Sequence, residues 1–460
     1  MFERKNWFSY LWQSKDIRKK IIITFVLVGL YRFLLVVPLP GIVTTPDLIK
    51  QNIGSDSGLN TLLDFLSMLS GSSLLRVSVL ALGLLPFNLT GIVLSTLASL
   101  IPGIQRRFEE DPREARKSLE RWNYYLAIPI AILESFLFLF IISPNCEGRL
   151  SLLEGSTAGL SPIFTISTVL LLTAGSFFAV WIAGLISEYG IRGQGNMILL
   201  ASNLIAQMPN EIARLFKPVW TLIQMPNSLE KRLAIPDLTG SLIMYPVLFL
   251  LCILVVVYLL GGRRNIPVAY PGRRTGARMN MPVRGSLPLT LTIGEDGLLG
   301  SQLIVALATF YAPLITCTVI PWLNAAATWT IKIFSDNSIY FGPIVFFSVV
   351  LFTYYFADTK FQALEYGEGL KRVGASIPGV NRGVATQRYL NRVNRNITLL
   401  PALLLGFLAV VPWLFNMQFG YKLSLLDGEI LIIIVMAIRN AYYSVDAELL
   451  VQGYDRPLLY

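Results

Sequence analysis

Few residues in this 460-residue chain could carry acid–base or nucleophilic chemistry. It contains no histidine. That removes Ser-His-Asp and Cys-His nucleophiles, imidazole metal sites and imidazole proton relays. The three cysteines, Cys146, Cys252 and Cys317, form no CxxC, and two lie inside apolar stretches, so neither a disulfide framework nor a zinc site is expected. No GxxxxGKS/T stretch is present to cradle a nucleotide phosphate. What remains is charge. Two segments are rich in arginine: GGRRNIPVAYPGRRTGARMNMPVRG, from Gly261 to Gly285, and LKRVGASIPGVNRGVATQRYLNRVNR, from Leu370 to Arg395. Arginines at this density bind phosphates or acidic protein surfaces, contact anionic lipid, or fix membrane topology. Their Gly/Pro punctuation suggests a shaped hairpin. Two more charges, Arg32 and Glu134, sit within apolar runs, where a charge is costly and functional more often than not. Arg32 is near enough to a basic end to snorkel.

The elements that position these charges follow from composition. The chain is 54% hydrophobic and 14% charged, against about 25% charged in an ordinary soluble domain. It is an integral membrane protein of the helical kind, because the apolar segments are long and continuous. Ten spans are expected, at roughly 21–40, 76–101, 122–143, 162–187, 195–213, 241–260, 298–321, 341–357, 396–415 and 430–446. The fifth is short and polar, with Asn196, Asn203, Gln207 and Pro209. No cleavable signal peptide is expected, since the first apolar run lacks an A-x-A site. Placing the N-terminus inside puts 27 of the 38 Lys and Arg on the inner segments. By the positive-inside rule both termini are then cytoplasmic, as are the long loops at about 261–297 and 358–395. Residues 42–75 fall outside. Within them LNTLLDFLSMLSGSSLL, Leu59 to Leu75, is apolar but too short to cross. It is either a half-helix returning into the bundle or an interfacial helix lying flat.

In order along the chain, six stretches resemble the SecY family: KDIRKKI with LYRFLLVVPLPGI, LSMLSGSSLLRVSVLALGLLPF, ISEYGIRGQGN, RRNIPVAYPGRR, and LKRVGASIPGVNRGVATQRYLNRVNRNITL. The resemblance runs over nearly the whole length. It implies an all-α polytopic fold of ten transmembrane helices in two pseudo-symmetric five-helix halves, residues 1–215 and 216–460, around a central hourglass pore. A short outer plug half-helix at about 60–72 would include Asn60, Leu63, Phe65 and Met68. The pore ring would take Leu84, Asn88, Asn196, Leu200, Gln302 and Ile433. The family uses aliphatic residues there, so Asn88, Asn196 and Gln302 depart from its pattern. Amides hold water where aliphatic side chains dewet, so the ion barrier would rest more on the plug.

The resemblance also implies a lateral gate, formed by the second and third helices against the seventh and eighth. Glu134 would belong to its polar cluster, and Glu295 and Asp296 lie close to it. The basic loops would bind the ribosome or the SecA ATPase through Arg263, Arg264, Arg273, Arg274, Arg278, Lys371, Arg372, Arg382 and Arg388. The family has an arginine directly after IPGI; here Asn381 stands there and Arg382 follows. Further implied partners are SecE, SecG, signal peptides, nascent polypeptides, anionic lipids and ribosomal RNA. No cofactor, metal or enzymatic activity is implied. The expected function is a protein-conducting channel of the bacterial plasma membrane, passing secretory chains across and releasing membrane helices sideways. An accessory paralogue with few substrates is the alternative within the family, and a ten-helix secondary transporter the alternative outside it. The sequence shows no paired intramembrane charges of the kind an ion-coupled carrier uses.

Overall fold

A computed structural model describes residues 14–39, 78–101, 112–142, 162–224, 247, 250–259, 261–270, 283–290, 321–333, 338–362, 366–419 and 428–451. The helices are α1 (Lys15–Leu34), α2 (Leu85–Leu100), α3 (Pro112–Ile142), α4 (Pro162–Tyr189), α5 (Gly195–Gln224), α6 (Leu250–Leu259), α7 (Pro321–Ile333), α8 (Phe341–Gln362), α9 (Tyr366–Arg372), α10 (Val384–Phe419) and α11 (Gly428–Val451). Strands β1 (Arg263–Tyr270) and β2 (Val283–Thr290) form one antiparallel hairpin between α6 and α7. Apart from that hairpin the architecture is all-α and polytopic. Four helices contain segments long and apolar enough to cross a membrane: α3, α4, α8 and α10. The helices α1, α2, α5, α6 and α11 fall on five more expected spans. The seventh, 298–321, lies almost wholly outside the described residues.

Helix ends differ from the hydropathy reading for local reasons. Ser14 caps α1, accepting a hydrogen bond from the Ile17 amide at 3.3 Å, so the basic KDIRKK is already helical. Pro38 cannot continue the ladder, and α1 stops at Leu34 rather than near 40. The second span was expected from 76, yet α2 starts at Leu85. Gly83 holds a left-handed φ of 49°, and Pro86 suits a helix's first turn. Residues 78–84 instead form successive turns: Ala81 N–H donates to Ser78 O, Gly83 N–H to Leu80 O and Leu85 N–H to Leu82 O. Ser78, Leu80, Ala81, Leu82 and Leu84 are all buried. Non-helical backbone at membrane depth survives only when protein encloses it and satisfies its polar groups.

Two apolar clusters organise the bundle. The first joins Tyr31 and Leu35 to Leu80, Leu84, Ile182, Ile186, Leu199 and Leu200. The second joins Cys252 and Val256 of α6, Val345 and Val349 of α8, Leu405 and Trp413 of α10, and Ile432 to Met436 of α11. The second also takes Leu204 of α5, with Met208 packed against it, so α5 belongs to both. Beside it, Met197 and Ala201 meet Ala437. Near the end of the bundle where α1 begins, Ile17 packs on Val445 and Leu449. There the Lys20 ammonium lies 2.7 Å from Glu448, and Arg192 lies 3.7 Å from the same carboxylate oxygen.

The buried turns at 78–84 set one strict demand on α4. A Cβ on Gly175 would fall 2.0 Å from the Val79 carbonyl oxygen, which cannot move without breaking the turns. Gly184, on the same helix, has nothing within 4 Å. Gly175→Val is expected to abolish accumulation of the protein as a monodisperse species in detergent, and Gly184→Ala to leave it unchanged. Size-exclusion chromatography of membrane extracts reads both; a normal peak for Gly175→Val would refute the close approach.

Candidate functional site

Two regions carry residues singled out by the sequence: the middle of the bundle, and the end where the arginine-rich segments emerge. In the bundle, Leu84 and Leu200 share the first apolar cluster, both essentially buried. Ile433 is buried in the second cluster. Asn88, one turn beyond Leu84, donates its backbone N–H to Leu84 O at 3.0 Å, and it is half-buried, as is Asn196. Gln302 lies outside the described residues, as do Asn60, Leu63, Phe65 and Met68, and Glu295 and Asp296. The described residues therefore bring Leu84 and Leu200 together and place Ile433 across the α5–α11 seam. None of the three is exposed.

Glu134 is on α3 and only 3% exposed. Among the described residues neither of its carboxylate oxygens has a hydrogen-bond partner. Its neighbour Ser135 lies 3.2 Å from the Thr173 hydroxyl of α4, and Ser135 also donates to the Ala131 carbonyl. The α3 face that carries Glu134 is thus turned into protein rather than lipid. Three turns earlier on α3, Tyr124 packs on Phe87 of α2 with ring centroids 5.1 Å apart.

The two arginine-rich segments fold into one body. In β1 the side chains of Ile266 and Val268 point inward while Asn265 and Pro267 face outward, the period-2 pattern of a half-buried strand. The hairpin pairs Arg263 with Thr290 at one end and Tyr270 with Val283 at the other. The free edge of β1 is taken by the second segment: Ala269 N–H donates to Ser376 O at 2.8 Å, and Ser376 N–H to Ala269 O at 2.9 Å. Beneath this three-way join lies a small core of Ile266, Val268, Phe361, Leu370, Ala375, Ile377, Leu390 and Val393. Those residues come from β1, α8, α9, the following turns and α10. Gly379 and Gly383 hold φ of 83° and 87°, which lets the chain reverse twice within IPGVNRG. Ile377 anchors that reversal in the core, while Asn381 and Arg382 stand exposed.

The basic side chains ring this core without entering it. Arg264, Lys371, Arg372, Arg382 and Arg388 are exposed, as is Arg392. Among the described residues, Arg372 makes a solvent-facing pair with Glu368 at 3.7 Å. Arg273, Arg274 and Arg278 lie outside the described residues; Arg263 is placed by its backbone in β1.

Residues 384–395, expected as loop, are the first three turns of α10. Their polarity hid a helical repeat: Thr386, Leu390, Val393, Asn394 and Thr398 are buried along one face. Sequence reasoning also missed the contacts of α8. Arg395 donates to Asp358 at 2.7 Å, Asn394 donates to Ala357 O at 3.3 Å, and the Tyr355 hydroxyl donates to Thr96 O of α2 at 3.2 Å. A tyrosine or aspartate at the end of an apolar run was the only signal available. Inside the bundle, the Asn203 amide donates to the Tyr31 hydroxyl at 3.2 Å, and the Arg32 guanidinium donates to Ser202 O.

A charge placed in the core of the basic body should open it. Val268 is 1% exposed, and an unpaired buried charge costs about 3–5 kcal/mol. In a background without the three native cysteines, a cysteine at buried Ala375 should resist a water-soluble maleimide. Adding Val268→Asp should make it react, whereas adding Arg388→Ala should not. Equal protection in all three proteins would mean the two segments do not share a core.

The chain was compared with known proteins. The SecY family's sequence model matches residues 78–442. The chain is 27% identical over 445 residues to the protein translocase subunit SecY of Aquifex aeolicus, covering 96% of this chain and 97% of that one. It is 27% identical over 453 residues to the Chlamydia trachomatis subunit, covering 96% and 95%. Among solved structures, a protein-conducting channel superposes with a TM-score of 0.60 at 16% identity, covering 99% of this chain and all of the other. Sec61 in the canine ribosome–channel complex of the endoplasmic reticulum superposes at 0.55, also with 16% identity and 99% and 100% coverage. With a family match across most of its length and the same fold, this chain belongs to the SecY family.

Proposed function

We propose that this chain is the channel subunit of a bacterial Sec translocase, carrying secretory polypeptides across the plasma membrane and releasing membrane helices sideways into it. The observation that carries the reading is the family match over residues 78–442, joined to a basic, ordered body at one end of an otherwise apolar bundle. A carrier has no evident need for that body. The basic end faces the cytoplasm, with both termini, because 27 of the 38 Lys and Arg belong to that side. Its exposed arginines suit ribosomal RNA phosphates or the acidic surface of the SecA motor. SecE, SecG, signal peptides, nascent chains and anionic lipids complete the set of partners.

In this reading residues 1–215 and 216–460 are the two halves. Leu84, Asn88, Asn196, Leu200, Gln302 and Ile433 line the waist, and residues 60–72, with Asn60, Leu63, Phe65 and Met68, plug it. Glu134 belongs to the gate, formed by α2 and α3 on one side and by α8 with the seventh span on the other. The burial of Leu84, Leu200 and Ile433 supports a waist that is shut until its clusters part. A signal segment entering between α2 and α8 gains about 0.8 kcal/mol for each CH₂ it buries. That gain favours the open arrangement, and a partner's energy source then moves the chain. The half-buried Asn88 and Asn196 favour one second reading, an accessory paralogue with a restricted substrate set.

Cross-linking tests the channel directly. A cysteine at Leu84 or Ile433 is expected to capture a stalled secretory chain that carries its own cysteine. A cysteine at Phe25, 75% exposed on the surface of α1, is expected not to. Capture at Phe25 alone, or at none of the three while secretion proceeds, would sink the proposal.

A further inference from the structure

Helix α7 is amphipathic and too short to span a bilayer. Its 13 residues reach about 20 Å, against a hydrocarbon core of about 30 Å. Trp322, Ala326, Trp329 and Ile333 recur at i, i+4, i+7 and i+11 and so share one face. Thr328 and Lys332, one turn apart and both exposed, lie on the opposite face. Trp322 is 70% exposed and Trp329 66%. The hydroxyls of this helix are satisfied within it: Thr328 donates to Ala325 O at 2.9 Å and Thr330 to Ala326 O at 2.8 Å. Thr330, at the margin of the tryptophan face, therefore brings no unmet donor to it.

The chain fixes where α7 sits. Helix α8 reaches the core of the basic body at Phe361, so its Phe341 end is the opposite end of the bundle. Ser338 opens that end: its hydroxyl accepts from the Tyr340 amide at 3.3 Å, and its carbonyl from the Phe341 amide at 3.2 Å. Four residues separate Ile333 from Ser338, a reach of at most about 18 Å. At its other end α7 follows directly on the seventh expected span, 298–321. Tied at both ends to segments that cross the membrane, α7 is held within reach of the membrane surface. Ile339 and Tyr340, 62% and 61% exposed, continue its apolar and aromatic character to the point where α8 begins. Tryptophan and tyrosine concentrate at headgroup depth, because the ring is apolar while its N–H or O–H needs a polar partner.

We propose that α7 is an interfacial anchor: its Trp322–Trp329 face lies in the headgroup region of the leaflet remote from the basic body, and its partner is the lipid surface itself. The helix axis runs along the membrane plane, with Ala326 toward the acyl chains and Thr328 and Lys332 toward water. Lipid suits this face better than a protein surface does. Each indole carries one donor, which a headgroup phosphate or ester carbonyl accepts wherever the ring settles. A protein would have to supply acceptors at two fixed points. The anchor sets the depth of the link between the seventh span and α8, and it stands apart from what the bundle conducts.

The test uses the full chain without its three native cysteines, reconstituted into vesicles of phosphatidylethanolamine and phosphatidylglycerol. One protein carries a nitroxide label on a cysteine at Ala326 and another on a cysteine at Thr328, both exposed positions. Electron paramagnetic resonance reads collisions with molecular oxygen, which concentrates in hydrocarbon, and with a neutral nickel chelate, which stays in water. The oxygen-to-nickel ratio is expected to be several-fold higher at Ala326 than at Thr328. Trp322→Ser with Trp329→Ser is expected to bring the Ala326 ratio down to the Thr328 value. High nickel exposure at both positions puts α7 in water and overturns the proposal. Shielding of Ala326 from both reagents puts its face on protein, a partner subunit or a second copy, and overturns it equally. An Ala326 ratio unmoved by the double replacement overturns the role of the tryptophans. None of these outcomes touches the channel reading, which the cross-linking experiment decides.

Discussion

In hydrocarbon no water is available to satisfy a peptide group, and the rest of this structure depends on that constraint. It makes helices obligatory and dictates what interrupts them. The turns at 78–84 are tolerated because their amides find carbonyls three residues back and α4 closes over them without a side chain at Gly175. It also governs the hydroxyls. Thr90, Thr96, Ser135, Thr173 and Thr398 each donate to a carbonyl one turn earlier, so these hydroxyls are spent within their own helices. Polar contacts between helices are therefore few among the described residues. Asn203 with Tyr31, Asn394 with Ala357 O and Tyr355 with Thr96 O stand out against an apolar background.

That background is why the spans were legible and their ends were not. Hydropathy locates segments that must avoid water. It is blind to Pro38 ending α1 early and to the φ of Gly83 delaying α2. It misread residues 384–395 because it averages over a window. Leu390 and Val393 are buried there against β1 and α9, while Arg388 and Arg392 on the opposite face dominate the average. Of the candidate site, the exposure of the arginines and the presence of a hairpin could be read from Gly/Pro spacing. Their union could not. Ala269 and Ser376 are far apart in the chain, and no local pattern announces a two-hydrogen-bond join between them. The ring positions came from resemblance, because a leucine lining a waist and a leucine in a core look alike in sequence. Leu84, fully buried beside Ile182 and Leu199, shows how close the two roles are.

The packing of α1 and α5 against α11 follows from the same physics. The Lys20–Glu448 pair is partly exposed to water, where such pairs contribute about 0–1 kcal/mol. The strength of that seam lies instead in the packed side chains of α1, α5 and α11. Packed apolar surfaces separate only by losing many contacts together.

The basic body is continuous with the bundle through α8 and α10. Helix α8 runs from the apolar cluster around Val345 and Val349 to Phe361, which lies in the core beneath the hairpin. Helix α10 does the same, from Leu405 to Leu390 and Val393. Arg395 and Asn394 lock the two helices together just where they leave the bundle. A load applied to the hairpin or to the IPGVNRG reversal is therefore carried by a pair of braced helices, not by a loose loop.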